Sequence, residues 1–210
     1  MLRIGITMRS SAATHYPEAR DALARDWHHF MAQALPEVAW LPVPNLGRAV
    51  AGWTANWALD GVILSGGEDR GEDPQRDDTE DALWTLCQTG PLRLLGICRG
   101  LQQLWHWHGG QMAPVDGHVA TRHALRWAAP WSAQADTARE VNSFHRWALS
   151  GPTPAGLQPM AWGPAGEVEA VCTPGRHHAG LMWHPERSTT TDPEDIRFMR
   201  WFWLNEVPAP

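Results

Sequence analysis

Apolar residues recur along this chain in two alternating rhythms. Short continuous runs at residues 2–8, 38–41, 61–64 and 92–97 read as strands, and the third and fourth are apolar enough to be covered on both faces of a parallel sheet. Between them lie helical spacings. Pro17 opens one in which Ala19, Leu23, Trp27, Phe30, Met31 and Ala34 keep roughly a 3.6-residue period. Others run over 49–57, over 77–87 with acidic first turns, and over 101–108, where Gly109-Gly110 stops the helix. The later chain changes character: brief strands at 119–127, 141–143, 167–172 and 180–183, broken by Pro and Gly, suggest a meandering sheet edge. Residues 192–204 form a terminal helix carrying Ile196, Phe198, Met199, Trp201 and Phe202. The alternation predicts an α/β fold, and the absence of repeats or a long linker predicts one domain over 1–210.

Composition narrows the function. The 210 residues are 43% hydrophobic, sufficient for a sizeable core, and the net charge of −6 offers no electrostatic reason to expect nucleic acid or an anionic membrane as partner. No apolar run approaches the roughly 20 residues that span a bilayer, and the N-terminus lacks the features of a signal peptide, so the expected location is the cytoplasm. Three cysteines are too few for a disulfide scaffold; Cys87 and Cys172 are expected in the core. Of the fourteen tryptophans, Trp105 and Trp107 cannot share a helix face, so one should pack while the other lines a surface or pocket. The tryptophan excess itself has no functional explanation in the sequence.

Cys98 has different neighbours. It sits between a strand and a helix, with Gly96 and Gly100 two residues to either side, where a tight turn would project the thiol beyond the strand ends. A helix N-terminus favours thiolate over thiol. The Arg99 N–H would face the oxygen of an attacked carbonyl, and Gly67 N–H is the expected second donor, chosen because a side chain there would crowd the acyl group. Ser65-Gly66-Gly67 reads equally as an ordinary sheet-edge turn. Of eleven histidines, His28, His29, His177 and His178 read as surface residues, whereas His184 ends an apolar segment and precedes Pro185 and Glu186, whose carboxylate could orient it. A structural histidine fits the same pattern.

Taken together, Ser65-Gly66-Gly67, Gly96-Ile97-Cys98-Arg99-Gly100-Leu101-Gln102, Gly109-Gly110, Val141-Asn142-Ser143-Phe144-His145 and Trp183-His184-Pro185-Glu186 resemble the class I glutamine amidotransferase superfamily, in order and across nearly the whole chain. The resemblance implies a flavodoxin-like three-layer α/β/α sandwich. It also implies a Cys98, His184, Glu186 triad with Gly67 and Arg99 amides as oxyanion donors. Gly66, Gln102, Asn142, Ser143 and His145 are expected to bind substrate, without cofactor or metal; a homodimer is compatible. Cys98-Arg99-Gly100, the Arg76-Asp77-Asp78-Thr79-Glu80 region and the Asn-Ser-x-His element are most similar to stand-alone γ-glutamyl hydrolases of the peptidase C26 kind, including the γ-glutamyl-γ-aminobutyrate hydrolases. Gly66-Gly67-Glu68-Asp69 departs from the longer loop of the polyamine-pathway members.

A narrower resemblance, in Thr7-Met8-Arg9, residues 18–23 with Trp27, and residues 116–123, is to small capsule-pathway enzymes that hydrolyse γ-glutamyl-CDP-amidate. It implies a γ-glutamyl conjugate of a cytidine nucleotide as substrate; Arg9, Arg20, Arg122, His118 and His123 could offer donors to its diphosphate, while His118 and His123 read equally as residues that pack or hydrogen-bond within their loop. Two other readings stand beside it. One is a glutaminase serving a separate synthase. The other is a metal-binding or interaction protein using His106, His108, His118 and His123, although their spacing to Cys98 matches no structural zinc pattern.

Overall fold

The computed structural model describes residues 1–128 and 139–206. Strand β1 (Arg3–Thr7) leads into a hairpin of β2 (Arg9–Ala12) and β3 (Ala19–Ala22), then helix α1 (Asp26–Ala34) and strand β4 (Ala39–Val43). A short 3-10 turn enters α2 (Val50–Trp57), followed by β5 (Gly61–Leu64), α3 (Pro74–Thr89), β6 (Arg93–Ile97) and α4 (Arg99–Trp107). The rest is rich in strands: β7 (Gln111–Pro114), β8 (Val119–Trp127), β9 (Arg139–Phe144), β10 (Trp147–Ser150), β11 (Gln158–Trp162), β12 (Val168–Cys172) and β13 (His178–Leu181), closed by α5 (Pro193–Leu204).

The central sheet is parallel through β4-β1-β5-β6-β13 and continues antiparallel through β12, β11, β8 and β9. Alternating side chains of each parallel strand serve opposite faces. Ile63 and Leu95 pack with Trp27, Phe30, Phe198 and Phe202 of α1 and α5, whereas Val62 and Leu94 pack with Val50, Leu83 and Leu101 of α2, α3 and α4. Two buried helix–sheet interfaces make the three-layer α/β/α arrangement. Because β6 and β13 are parallel neighbours, with Ile97 opposite Leu181, their carboxyl ends deliver Cys98 and the 183–186 segment to the same edge.

The helix expected from Pro17 begins only at Asp26. Ala19 to Ala22 instead pair antiparallel with Arg9 to Ala12, and the Asp21 carboxylate accepts hydrogen bonds from the Asn45 backbone and side-chain amides at 2.9 and 2.7 Å. Tertiary hydrogen bonding thus overrides a helical apolar spacing, which is genuine only from Trp27 onward. Helix α3 starts earlier than its apolar period indicates, because Asp73 caps it by accepting from the Gln75 and Arg76 amides ahead of Pro74. Strands β7, β10 and β11, each only four or five residues, are not evident from periodicity.

Trp105 is buried, and its indole N–H donates to the Gln111 carbonyl at 2.8 Å. Trp107 is half-buried, stacked on Trp84 and donating to Asp81. Cys87 and Cys172 are buried and free, as expected. His28, His29 and His177 are exposed, but His178 is half-buried against Trp84.

Candidate active site

Cys98 occupies the turn between β6 and α4 with φ 51° and ψ −103°, a conformation an L-residue rarely adopts. The turn closes only because its glycines have no side chains. A Cβ at Gly96 would lie 2.3 Å from the Gly100 backbone, and one at Gly100 would lie 2.3 Å from the Leu64 carbonyl oxygen. Cys98 N–H donates to the Leu181 carbonyl at 2.7 Å, tying the elbow to β13, from which the partner histidine follows.

His184 stands beside the Cys98 sulfur, close enough to feel its charge, and its Nδ1 lies 2.7 Å from Glu186 Oε1. Both His184 and Glu186 are buried. Burial opposes a charge on the imidazole, but the Glu186 carboxylate and the Cys98 sulfur outweigh it and hold the His184 pKa up at about 9. The site therefore favours an imidazolium at His184. Gly66 makes room for it: a Cβ there would lie 2.4 Å from His184 Cε1. Asn142 fixes the backbone, with Nδ2 donating to the His184 carbonyl and Oδ1 accepting from the His184 amide.

The Gly67 loop is held by a buried ion network that sequence reasoning does not assign to the site. Arg76, fully buried, donates to the Ser65 and Gly66 carbonyls and pairs with Glu68 and Glu80 at 2.9 and 3.0 Å. Glu80 also pairs with the Arg99 guanidinium, which in turn meets Asp77. The one available signal is the Arg76/Glu80 spacing of four on a helix. A Cβ at Gly67 would lie 2.2 Å from Arg76 Nη1, so the buried guanidinium itself calls for glycine at this position.

Cys98, Arg99, Gly67, Gln102, His145 and Arg9 line one cavity of about 340 Å³, together with Glu68, Asp69, Glu72, Val119, Phe144 and Arg146. Several expected substrate ligands lie elsewhere. Arg122 is exposed and borders a different groove beside Arg139 and Glu140. Arg20 is exposed and held by Glu18 and Tyr16. The Asn142 amide is occupied by the His184 backbone, and the fully buried Ser143 hydroxyl donates to the His118 carbonyl. His118 and His123 turn inward onto a carboxylate cluster with His145, while His106 and His108 lie outside it. Cys87 is no competing nucleophile, since burial pushes its thiol up to about 12.

The model of the family described as peptidase C26 matches residues 3–186. The chain belongs to the peptidase C26 family. This member is 28% identical over 208 residues to a γ-glutamyl-CDP-amidate hydrolase of Campylobacter jejuni, covering 96% of this chain and 98% of that one. A glutamine amidotransferase-like protein, YvdE, of Lactococcus lactis is 27% identical over 180 residues, covering 69% of the C26 chain and 73% of its own. Among solved structures, a glutamine amidotransferase from Thermotoga maritima superposes with a TM-score of 0.61 at 11% identity, covering 95% of this chain and 80% of that one. A GMP synthase-type protein from Thermoplasma acidophilum gives 0.66 at 19%, covering 95% and 92%. These two show that the C26 chain shares the class I glutamine amidotransferase fold.

Proposed function

We propose that this chain hydrolyses γ-glutamyl-CDP-amidate to glutamate and cytidine diphosphoramidate, in the cytoplasm, as a step in capsule or other surface-polysaccharide assembly. The coarser activity, hydrolysis of a γ-glutamyl amide, follows from C26 membership and the similarity to the Campylobacter jejuni enzyme along nearly the whole of both chains. The observation that carries the mechanism is the Cys98–His184–Glu186 relay opening into a cavity that holds both signs of charge. Glu68, Asp69 and Glu72 suit the α-ammonium of a glutamyl group, and Arg9 and Arg146 suit its α-carboxylate or a nearby diphosphate.

In the reaction, the Cys98 thiolate attacks the γ-carbonyl carbon, and the Gly67 and Arg99 amides, both on the wall of the same cavity, are assigned to stabilise the negative charge on the oxygen. Arg99 begins helix α4, where an N–H has no acceptor within its own helix. As the C–N bond breaks, His184 gives its proton to the departing nitrogen, leaving a thioester and a neutral imidazole. That imidazole then takes a proton from water as the water attacks the thioester. Glutamate leaves, and the thiolate–imidazolium pair is restored.

A glutaminase serving a separate synthase would use the same relay on free glutamine. Steady-state kinetics with γ-glutamyl-CDP-amidate, glutamine and γ-glutamyl-γ-aminobutyrate separate the readings. The expected result is a kcat/KM for the cytidine conjugate at least about 100-fold above the other two, equivalent to about 2.7 kcal/mol of extra transition-state binding. Equal values, or a preference for glutamine that rises when a synthase is added, would overturn the assignment.

A further inference from the structure

Behind the wall of the cavity, four side chains from separate parts of the strand-rich half converge. His118 precedes β8, His123 lies on it, His145 follows β9 and Glu169 lies on β12; one ligand atom from each falls within 4.8 Å of the other three. His145 and Glu169 are almost completely buried, while His118 and His123 are largely so.

The hydrogen bonds around the cluster decide which nitrogens face inward. His145 Nδ1 is 2.9 Å from the Trp147 carbonyl and His123 Nδ1 is 3.1 Å from the Ala124 carbonyl. A carbonyl only accepts, so both Nδ1 atoms carry the proton. Ser143 donates its hydroxyl hydrogen to the His118 carbonyl at 2.8 Å, so its oxygen accepts from His118 Nδ1 at 3.3 Å. In their neutral forms all three imidazoles therefore present an Nε2 lone pair. Those lone pairs face carboxylates: His123 Nε2 and His145 Nε2 each lie 3.8 Å from a Glu169 oxygen, and His118 Nε2 lies 3.7 Å from Glu167 Oε1.

The two Nε2 atoms of His123 and His145 and all four oxygens of Glu167 and Glu169 are buried without a hydrogen-bond partner. Acceptors facing acceptors in a buried site repel unless a cation lies between them. One proton on Glu169 would satisfy one imidazole and leave the others facing lone pairs. We propose that His118, His123, His145 and Glu169 bind a divalent transition-metal ion of the zinc class, with Glu167 as a neighbouring carboxylate that balances its charge. Three imidazoles and one carboxylate are a normal donor set for zinc, and imidazoles whose second nitrogen donates to a carbonyl or hydroxyl match the outer hydrogen bonds of metal-bound histidines. Zinc holds tetrahedral ligand atoms about 3.3–3.5 Å apart, so binding needs each side chain to move inward by less than about 1 Å.

Four protein ligands leave no open position for substrate, which makes the ion a structural clamp. It would tie the β8/β9 ribbon to β12 of the main sheet. Phe144, beside His145, packs edge-on against His184 with ring centroids 5.7 Å apart, so the clamp would also set the wall that faces the relay.

The test uses the full chain, without a histidine tag, purified from zinc-supplemented medium. Elemental analysis by inductively coupled plasma mass spectrometry is expected to find about one zinc per chain. Removing it with dipicolinate should lower Tm by about 5–10 °C, and adding zinc chloride should restore it. His123→Ala and Glu169→Gln should lose the metal, whereas His108→Ala, outside the cluster, should keep it. Cobalt loaded into the stripped protein should show the visible absorption of a tetrahedral site, lost in Glu169→Gln. Another divalent metal at one per chain would support the site with a different occupant. A wild-type protein that holds no stoichiometric metal and shows no Tm response to added zinc would overturn the proposal, as would His123→Ala and Glu169→Gln variants that retain the metal. None of these readouts depends on which γ-glutamyl amide is hydrolysed.

Discussion

Asn142 and His184 exchange two hydrogen bonds: Asn142 Nδ2 donates to the His184 carbonyl at 2.8 Å, and the His184 amide donates to Asn142 Oδ1 at 2.9 Å. The pair clamps the base of the relay to β9, an antiparallel strand far from the Cys98 elbow in sequence. Asn142 does not line the Cys98 cavity. Replacing it by Ala or Asp removes at least one bond and lets the imidazole drift. The expected result is a fall in kcat of about 10–100-fold with KM changed much less, as positioning losses of about 1 Å cost rates of this order. A large rise in KM at constant kcat would mean instead that Asn142 holds substrate.

The raised His184 pKa sets the alkaline limb of activity. The imidazolium is favoured in the folded site, so the acid that protonates the leaving nitrogen is present below about pH 9 and is lost as pH rises through that value. The pH profile of kcat/KM should therefore fall above about 9. Glu186→Gln removes a charge that holds the value up, so its limb should move to lower pH, and the variant should keep more activity than His184→Ala. An alkaline limb unmoved by Glu186→Gln would contradict the relay.

Gly66 and His184 cannot both keep their positions if Gly66 gains a methyl group, because its Cβ would lie 2.4 Å from His184 Cε1. Gly66→Ala should lower kcat by about 100-fold or more while the protein remains folded by circular dichroism. A variant with wild-type kcat would show that the imidazole is not confined there.

Arg76 tests the architecture behind the glycine loop. Arg76→Ala leaves the buried Glu80 with one of its two guanidinium partners missing and frees the Ser65 and Gly66 carbonyls. A loss of about 3–5 kcal/mol is expected in urea unfolding, the range found when one partner of a buried ion pair is deleted. A change below about 1 kcal/mol would argue against the network.

The parallel half of the fold is legible because its strands are continuous apolar runs and its helices keep a clean period; the strand at residues 61–64 has the bounds its apolar run predicts. The β2–β3 hairpin is not, since Ala19, Leu23 and Trp27 satisfy a helical spacing and only the long-range bonds of Asp21 reveal the competing structure. Cys98, His184 and Glu186 can be picked out because glycine and proline mark their turns, and the structure brings the three together. The substrate ligands are less accessible. A residue's place in the chain does not reveal that Arg122 faces another groove, or that Ser143 spends its hydroxyl on a carbonyl. The inward histidine cluster draws on residues as far apart as His118 and Glu169, and forms only when β8, β9 and β12 meet.

The most direct measurement offers the protein a glutamine analogue bearing a diazomethyl ketone at the γ-carbon and locates the adduct by intact and peptide mass spectrometry. The relay predicts one adduct per chain, on Cys98, with complete loss of hydrolysis, while the buried Cys87 and Cys172 remain unmodified. Its formation should slow sharply in His184→Ala. Labelling confined to Cys87 or Cys172, or a Cys98→Ala variant that still turns over γ-glutamyl-CDP-amidate at the wild-type rate, would contradict the central claim.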